Sequence, residues 1–261
     1  GLVTGVQTCA LPISAALALR HASAFPAAYR TDYGAAEAAR DIARLRFLGS
    51  DPLVQPLGRD ARLYRRDTDA ADHLRLKIYQ AGGSLPLSDA VPALENFGFR
   101  VLAEVPTALV GEDGVTIHDF LLGTPAAAAA LDRAEVIEQA IVAVLNGKAE
   151  DDVFNRLVVT TGLVAQEAEW LRAFYRYLRQ ANVAFTIYSV ADALAVAPAV
   201  THALIGLLRV RHDPAFAQDR AVATAAAEDA IRAGLAGVSA INDDRILRLY
   251  WQVIAAVLRT N

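Results

Sequence analysis

The apolar positions of this chain change their period twice. From Ala15 to Leu48 they recur every three or four residues, with Ala38, Ile42, Leu45 and Leu48 on one stripe and Glu37, Arg40 and Arg44 elsewhere. That spacing predicts an amphipathic helix ended by Gly49, Asp51 and Pro52. Between Asp51 and Gly123 the period is two. Leu74, Leu76 and Ile78 alternate with His73, Arg75, Lys77 and Tyr79, the pattern of a strand with one buried face. Gln80 to Ser84 breaks it, and Ser88 and Asp89 then offer a cap for a helix that runs to Phe97 and stops at Gly98. Pro92 is expected in the first turn of that helix, where amides lack intrahelical partners. Phe99, Val101, Ala103 and Val105 predict the next strand, Val115, Ile117 and Asp119 share one side of another, and an extra strand is expected around Ala61 to Arg65.

Everything after Pro125 reads as helical. The predicted segments are Ala126 to Leu145, Glu150 to near Gly162, Leu163 to Gln180, Val190 to Ala197, Ala199 to His212, Arg220 to Ala236 and Asp243 to Leu258. The expected fold class is therefore α+β, a small antiparallel sheet module with helices on one face, followed by an all-helical region. The boundaries expected are a helical connector over 15–50, the sheet module over 51–123, a linker helix over 124–149 and the helical region over 150–261.

Composition refines this picture. The chain has 261 residues, 54% of them hydrophobic, and a net charge of −4, which suits a buried core and argues against a nucleic-acid binder. It holds one Cys and no Met, so a disulfide framework is excluded and truncation at the front is expected. Val3 to Ile13 back-translates into the reverse strand of a common short-read sequencing adapter. Residues 1–14 are accordingly set apart as adapter-derived, and Cys9 goes with them. No basic residue precedes the apolar stretch Ala10 to Leu19, so it does not read as a secretory signal. The most apolar run, Leu121 to Leu131, is too interrupted to span a membrane. A soluble, cytoplasmic chain is expected.

Few residues suggest chemistry. The glycines form neither GxGxxG nor GxxxxGK[ST], so no cofactor site is expected. Lys77 lies on the polar face of its strand and Lys148 at a helix end, and neither reads as a catalytic base. His118 and Asp119 are strand neighbours that point to opposite faces, which favours structural hydrogen bonds over an acid/base pair. Glu150, Asp151 and Asp152 precede a helix and read as dipole partners rather than a metal site, and Asn242, Asp243 and Asp244 as an N-cap. Arg172, Arg176 and Arg179 form a stripe read as a solvated face, with Glu169 pairing to Arg172. Trp170 and Phe174 share the apolar face of that helix.

Several segments together resemble the large bacterial NAD-specific glutamate dehydrogenases. They are His21 to Tyr29, Leu74 to Tyr79, Leu85 to Asp89, Pro92 to Gly98, Ile117 to Phe120, Phe154 to Val158, Leu171 to Gln180, Asp243 to Arg248 and Leu258 to Asn261. Val153 departs from the small residue usual before the Phe-Asn-Arg motif. The resemblance implies that 51–123 is the last ACT-like, ferredoxin-like module of such an enzyme and that the later helices lead into its catalytic region. It further implies an enzyme that oxidises L-glutamate with NAD to 2-oxoglutarate and ammonium, as a homo-oligomer. On this reading the chain is a non-catalytic internal fragment that holds neither catalytic nor NAD-binding residues. Two alternatives stand beside it. One is an amino-acid-sensing module whose effector loop is Gly82, Gly83 and Ser84 with the helix start at Ser88 and Asp89. The other is a structural spacer that builds an oligomer interface.

Overall fold

The computed structural model describes residues 23–50, 58–82, 85–111 and 114–259. The adapter-like residues 1–14, and Gly83 and Ser84 of the effector loop, lie outside them. Two helices come first, α1 (Ala27–Asp32) and α2 (Ala35–Ser50). The continuous helix expected here is interrupted because Tyr33 takes an extended conformation before Gly34. Next come β1 (Arg59–Tyr64), β2 (His73–Ala81), α3 (Leu87–Asn96), β3 (Arg100–Ala108) and β4 (Val115–Gly123). The extra strand expected near Ala61 is β1.

The sheet order is β1-β2-β4-β3 and every neighbouring pair is antiparallel. β2, α3 and β3 thus form a split β-α-β unit with β4 between its strands, as in a ferredoxin-like sheet whose outer strand has been moved to the front of the chain. Gly98 makes the tight exit from α3 possible: its φ of +87° is a left-handed conformation that a side chain would strain.

The segment predicted as one helix from Ala126 breaks into α4 (Ala127–Asp132) and α5 (Ala134–Leu145) at Arg133. The Arg133 guanidinium donates to the carbonyls of Val158 (2.7 Å) and Leu163 (3.0 Å). A 3-10 turn (Val153–Asn155) follows, then α6 (Arg156–Thr160), α7 (Ala165–Gln180), α8 (Ile187–Val196), α9 (Pro198–His212), α10 (Arg220–Leu235) and α11 (Ile241–Ala256). One apolar core runs through both parts, from Leu76, Leu94, Phe120 and Ile137 to Phe154, Leu171, Leu204 and Leu247. Gly234 lets α10 settle on α9, because a Cβ there would come within 2.6 Å of Val200 Cγ2. Among the described residues no single helix is long and apolar enough to cross a membrane, and the apolar pair α8 and α9 is bent by 99°.

Each sheet edge is closed differently. Along β1, Asn146 accepts from the Arg59 amide (3.1 Å) and donates to its carbonyl (3.0 Å), while Glu138 accepts from the Leu63 amide (2.7 Å). Side chains from the end of α5 and from α5 itself thus stand where another strand would pair. Along β3, Pro106 lacks the amide that edge pairing needs, and the register slips between Val101 and Ala103.

Candidate functional site

Of the sequence-predicted effector residues, Gly82 is partly exposed and Ser88 and Asp89 are exposed. Gly82 has φ of +76° and its amide donates to the Gly114 carbonyl (2.9 Å). Ser88 and Asp89 do not cap α3. The helix begins one residue earlier, with Pro86 at the cap, so both lie in its first turn, and the Ser88 hydroxyl donates to Asp89 (3.3 Å). Pro92 consequently falls inside the helix and leaves the Ser88 carbonyl without its intrahelical donor.

A denser set of polar groups lies on the opposite side of the sheet. On the face that carries Lys77, Tyr79, Ile117 and Asp119, the helices α1 and α2 cover the strands, so the strand face expected to be polar is buried as well. Lys77 is 0% exposed. Its Nζ donates to Asp41 (2.5 Å) and Glu37 (2.8 Å), both on α2, and lies 4.1 Å from the centre of the Tyr33 ring. Asp41 is 0% exposed and also accepts from the hydroxyls of Tyr79 (2.7 Å) and Tyr29. The Arg62 guanidinium donates to Glu37 and stands 3.7 Å from Asp41. Two cations face two carboxylates, and phenols fill the remaining acceptor positions, which is what a buried ionic cluster requires.

Titration behaviour follows from this packing. Burial, and then the Asp41 carboxylate, hold the Tyr29 and Tyr79 phenols well above the usual range, so both stay protonated donors. For Glu37, burial pushes upward, but the Lys77 hydrogen bond and the charges of Arg62 and Lys77 outweigh it and hold the carboxyl below the usual range. Farther along the face, Arg44 of α2 pairs with Asp60 (3.1 Å) and Glu138 (3.0 Å). Asp119 accepts from the hydroxyls of Tyr64 (2.6 Å) and Tyr33.

The structure separates His118 and Asp119 as expected. His118 turns to the other face and its Nδ1 lies 2.8 Å from Glu104. The arginine stripe on α7 is only partly solvated. Arg172 is 3% exposed and held bidentately by Asp152 (2.7 and 2.9 Å), with Asn155 at 2.8 Å, whereas Glu169 stands off at 3.9 Å. Asp152 also caps the 3-10 turn by accepting from the Phe154 amide (2.9 Å). Arg176 pairs with Glu150. Asp243 and Asp244 occupy the first turn of α11 behind the cap residue Ala240, and Asp244 pairs with Arg248 (2.8 Å). Trp170 is half-buried, with the Arg209 guanidinium 5.8 Å from its ring centre.

Sequence reasoning missed the roles of Tyr29, Glu37, Asp41, Arg62 and Tyr79. The usable signal was Glu37, Asp41 and Arg44 at helical spacing, on a helix whose target strand carries Lys77 and Tyr79 on one side.

Among the described residues there is no Rossmann-type dinucleotide site. Such a site has a parallel sheet and a glycine-rich turn whose amides meet the pyrophosphate at a helix start. Here the sheet is antiparallel and α3 starts behind Pro86.

Three family models describing parts of glutamate dehydrogenase match in chain order: helical motif 2 over residues 13–48, the ACT3 domain over 59–136 and helical motif 3 over 149–214. The NAD-specific glutamate dehydrogenase of Pseudomonas aeruginosa is 36% identical over 246 residues, which cover 91% of this chain. The chain belongs to the NAD-specific glutamate dehydrogenase family. The enzyme of the same name from Halomonas elongata is 34% identical over 93% of the chain, and that of Mycobacterium tuberculosis 30% identical over 98%. The chain spans 15 to 16% of the length of these dehydrogenases. The family segments explain what the polar contacts join. The Lys77 cluster ties the helical-motif-2 segment, with Tyr29, Glu37 and Asp41, to the ACT3 module, with Arg62, Lys77 and Tyr79. Arg133 ties that module to helical motif 3.

Proposed function

We propose that this chain is a regulatory and positioning region of a longer NAD-dependent glutamate dehydrogenase, which oxidises L-glutamate to 2-oxoglutarate and ammonium, and that catalysis and NAD binding belong to other parts of that enzyme. The observation that carries the reading is the docking just described: buried ion pairs and a small apolar cluster around Tyr29, Ile42 and Ile117 hold the helical-motif-2 segment on the ACT3 module, and a second, larger core joins that module to helical motif 3. Segments joined in this way transmit a change at one end to the other better than loosely tethered modules do. In this reading the corner at Gly82, Gly83, Ser84, Ser88 and Asp89 receives an amino-acid effector, and the region contributes to a homo-oligomer.

Two measurements on the purified chain test it. With L-glutamate and NAD, no NADH is expected to form, and its formation would contradict a non-catalytic role. Calorimetric titration with L-amino acids at millimolar concentration should give saturable heat that Asp89→Ala weakens. The absence of heat from every amino acid would remove the effector corner from the account.

A further inference from the structure

The coordination of Asp41 goes beyond what docking a helix requires. Its carboxylate, on α2, meets Lys77 Nζ at 2.5 Å, the Tyr79 hydroxyl at 2.7 Å, the Tyr29 hydroxyl, and Arg62 Nη2 at 3.7 Å. Lys77, Tyr79 and Arg62 come from the sheet, so most of the cradle stays in place if α2 moves. All four groups are donors, and the two phenols are held in their protonated, donating form. The Lys77 ammonium and two hydroxyls converging on the Asp41 carboxylate, with the charge of Arg62 nearby although that guanidinium donates to Glu37, are the recognition set for a small carboxylate. The Asp side chain beyond Cα is an acetate group on a tether.

We infer that this cradle is a carboxylate-binding site closed by the chain's own helix: Asp41 is its resident ligand, and a free small monocarboxylate takes the same position when α2 lifts away. The occupant is thereby defined chemically. With α2 docked, Lys77, Asp41 and Tyr79 are all 0% exposed, so when the Asp41 side chain is removed the enclosed space holds one planar carboxylate on a group no larger than a methyl, as acetate offers. Chloride lacks the two oxygens that the Lys77 and Tyr79 donors address separately. α2 and the free carboxylate then exclude one another, so ligand concentration sets how often the helix is docked.

Both of two measurements on the whole chain must succeed. In Asp41→Gly the tether is gone and the cradle is intact, so acetate at about ten times its dissociation constant should raise the melting temperature by about 3 °C over chloride at equal ionic strength. The double variant Asp41→Gly/Lys77→Met should show no acetate-specific rise. Equal shifts with acetate and chloride, or an acetate shift that persists without Lys77, overturn the proposal. The unaltered chain supplies the second measurement, which does not depend on the variant folding. Acetate that traps the open form at the same excess should speed hydrogen exchange of the Ala35–Ser50 amides about tenfold, while those of α3 and α5 keep their rates. Unchanged exchange in α2, or acceleration spread evenly over the chain, overturns it as well.

Discussion

The two faces of one four-stranded sheet are buried by unlike means. Toward α3 and α5, Leu74, Leu76, Ile78, Phe120 and Leu122 meet Ala90, Leu94, Ile137 and Ile141 in an apolar layer, with Gln80 and the His118–Glu104 pair toward one end of the same face. Toward α1 and α2, the alternate residues of the same strands present Arg62, Lys77, Tyr79 and Asp119 to Glu37, Asp41, Tyr29 and Tyr33. The apolar layer draws its stability from area removed from water, which is nearly indifferent to the angle at which a helix sits. The polar layer adds little net stability, because desolvating its charges offsets most of their attraction, yet it tolerates only the arrangement in which every donor finds its acceptor. One face supplies adhesion and the other fixes the position of the helix that docks on it.

Paired substitutions break the comparison most sharply. Phe120→Ala should cost about 3–5 kcal/mol by opening a cavity, and adding Leu76→Ala should deepen the loss. Lys77→Met should cost a similar amount, about 3–5 kcal/mol, by stranding the Asp41 and Glu37 carboxylates in a dry interface. Adding Asp41→Leu to Lys77→Met should then recover most of that loss, a reversal the apolar face cannot show. Denaturant unfolding of these four variants, with Leu76→Ala and Asp41→Leu alone, measures both cycles. A smaller effect is expected where the core leaves no space. Gly234→Ala pushes a methyl against Val200 and should cost about 1–3 kcal/mol in the same assay.

Acid provides a gentler probe of the polar face. The Glu37 carboxyl is held below its usual value by Lys77 and Arg62 against the pull of burial, so its contribution is complete above about pH 4.5 and fades as the pH falls through the folded value. Glu138 works in the opposite sense. Burial raises its carboxyl despite the Leu63 amide and Arg44, so its ionisation costs stability as the pH rises through that range. Glu37→Gln should therefore flatten the loss of stability on acidification, and Glu138→Gln should steepen it, as read from unfolding midpoints between about pH 3 and 6. The smallest effect belongs to the β3 edge of the sheet. Val105 on β3 is 51% exposed, and Val105→Lys should change stability by less than about 0.5 kcal/mol.

The elements were legible in the sequence because each follows one period: Leu74, Leu76 and Ile78 announce β2, and the capping and glycine signals around α3 place its end at Gly98. The position of Ser88 was misread, since a proline can begin a helix as readily as a serine can cap one. The polar face was harder to read. Periodicity marks which residues share a side of a strand, but it does not say whether that side meets water or a second layer. Lys77 and Tyr79 therefore passed for a solvated face until α2 was seen to bring Glu37 and Asp41 onto them. Arg172 was hidden for the same reason, because its partner Asp152 lies 20 residues earlier, on a turn whose approach no local spacing encodes. The effector corner is an expectation from loop chemistry and family resemblance; of its described residues, Ser88 and Asp89 are exposed.

Hydrogen exchange of the chain carrying Lys77→Met tests the division of labour between the two faces most directly. If the polar face positions α2 while the apolar face holds the module together, the amides of Ala35–Ser50 should lose protection while those of α3, α5 and β4 retain theirs. Protection lost equally across the sheet and its helices, or retained in α2, would contradict it.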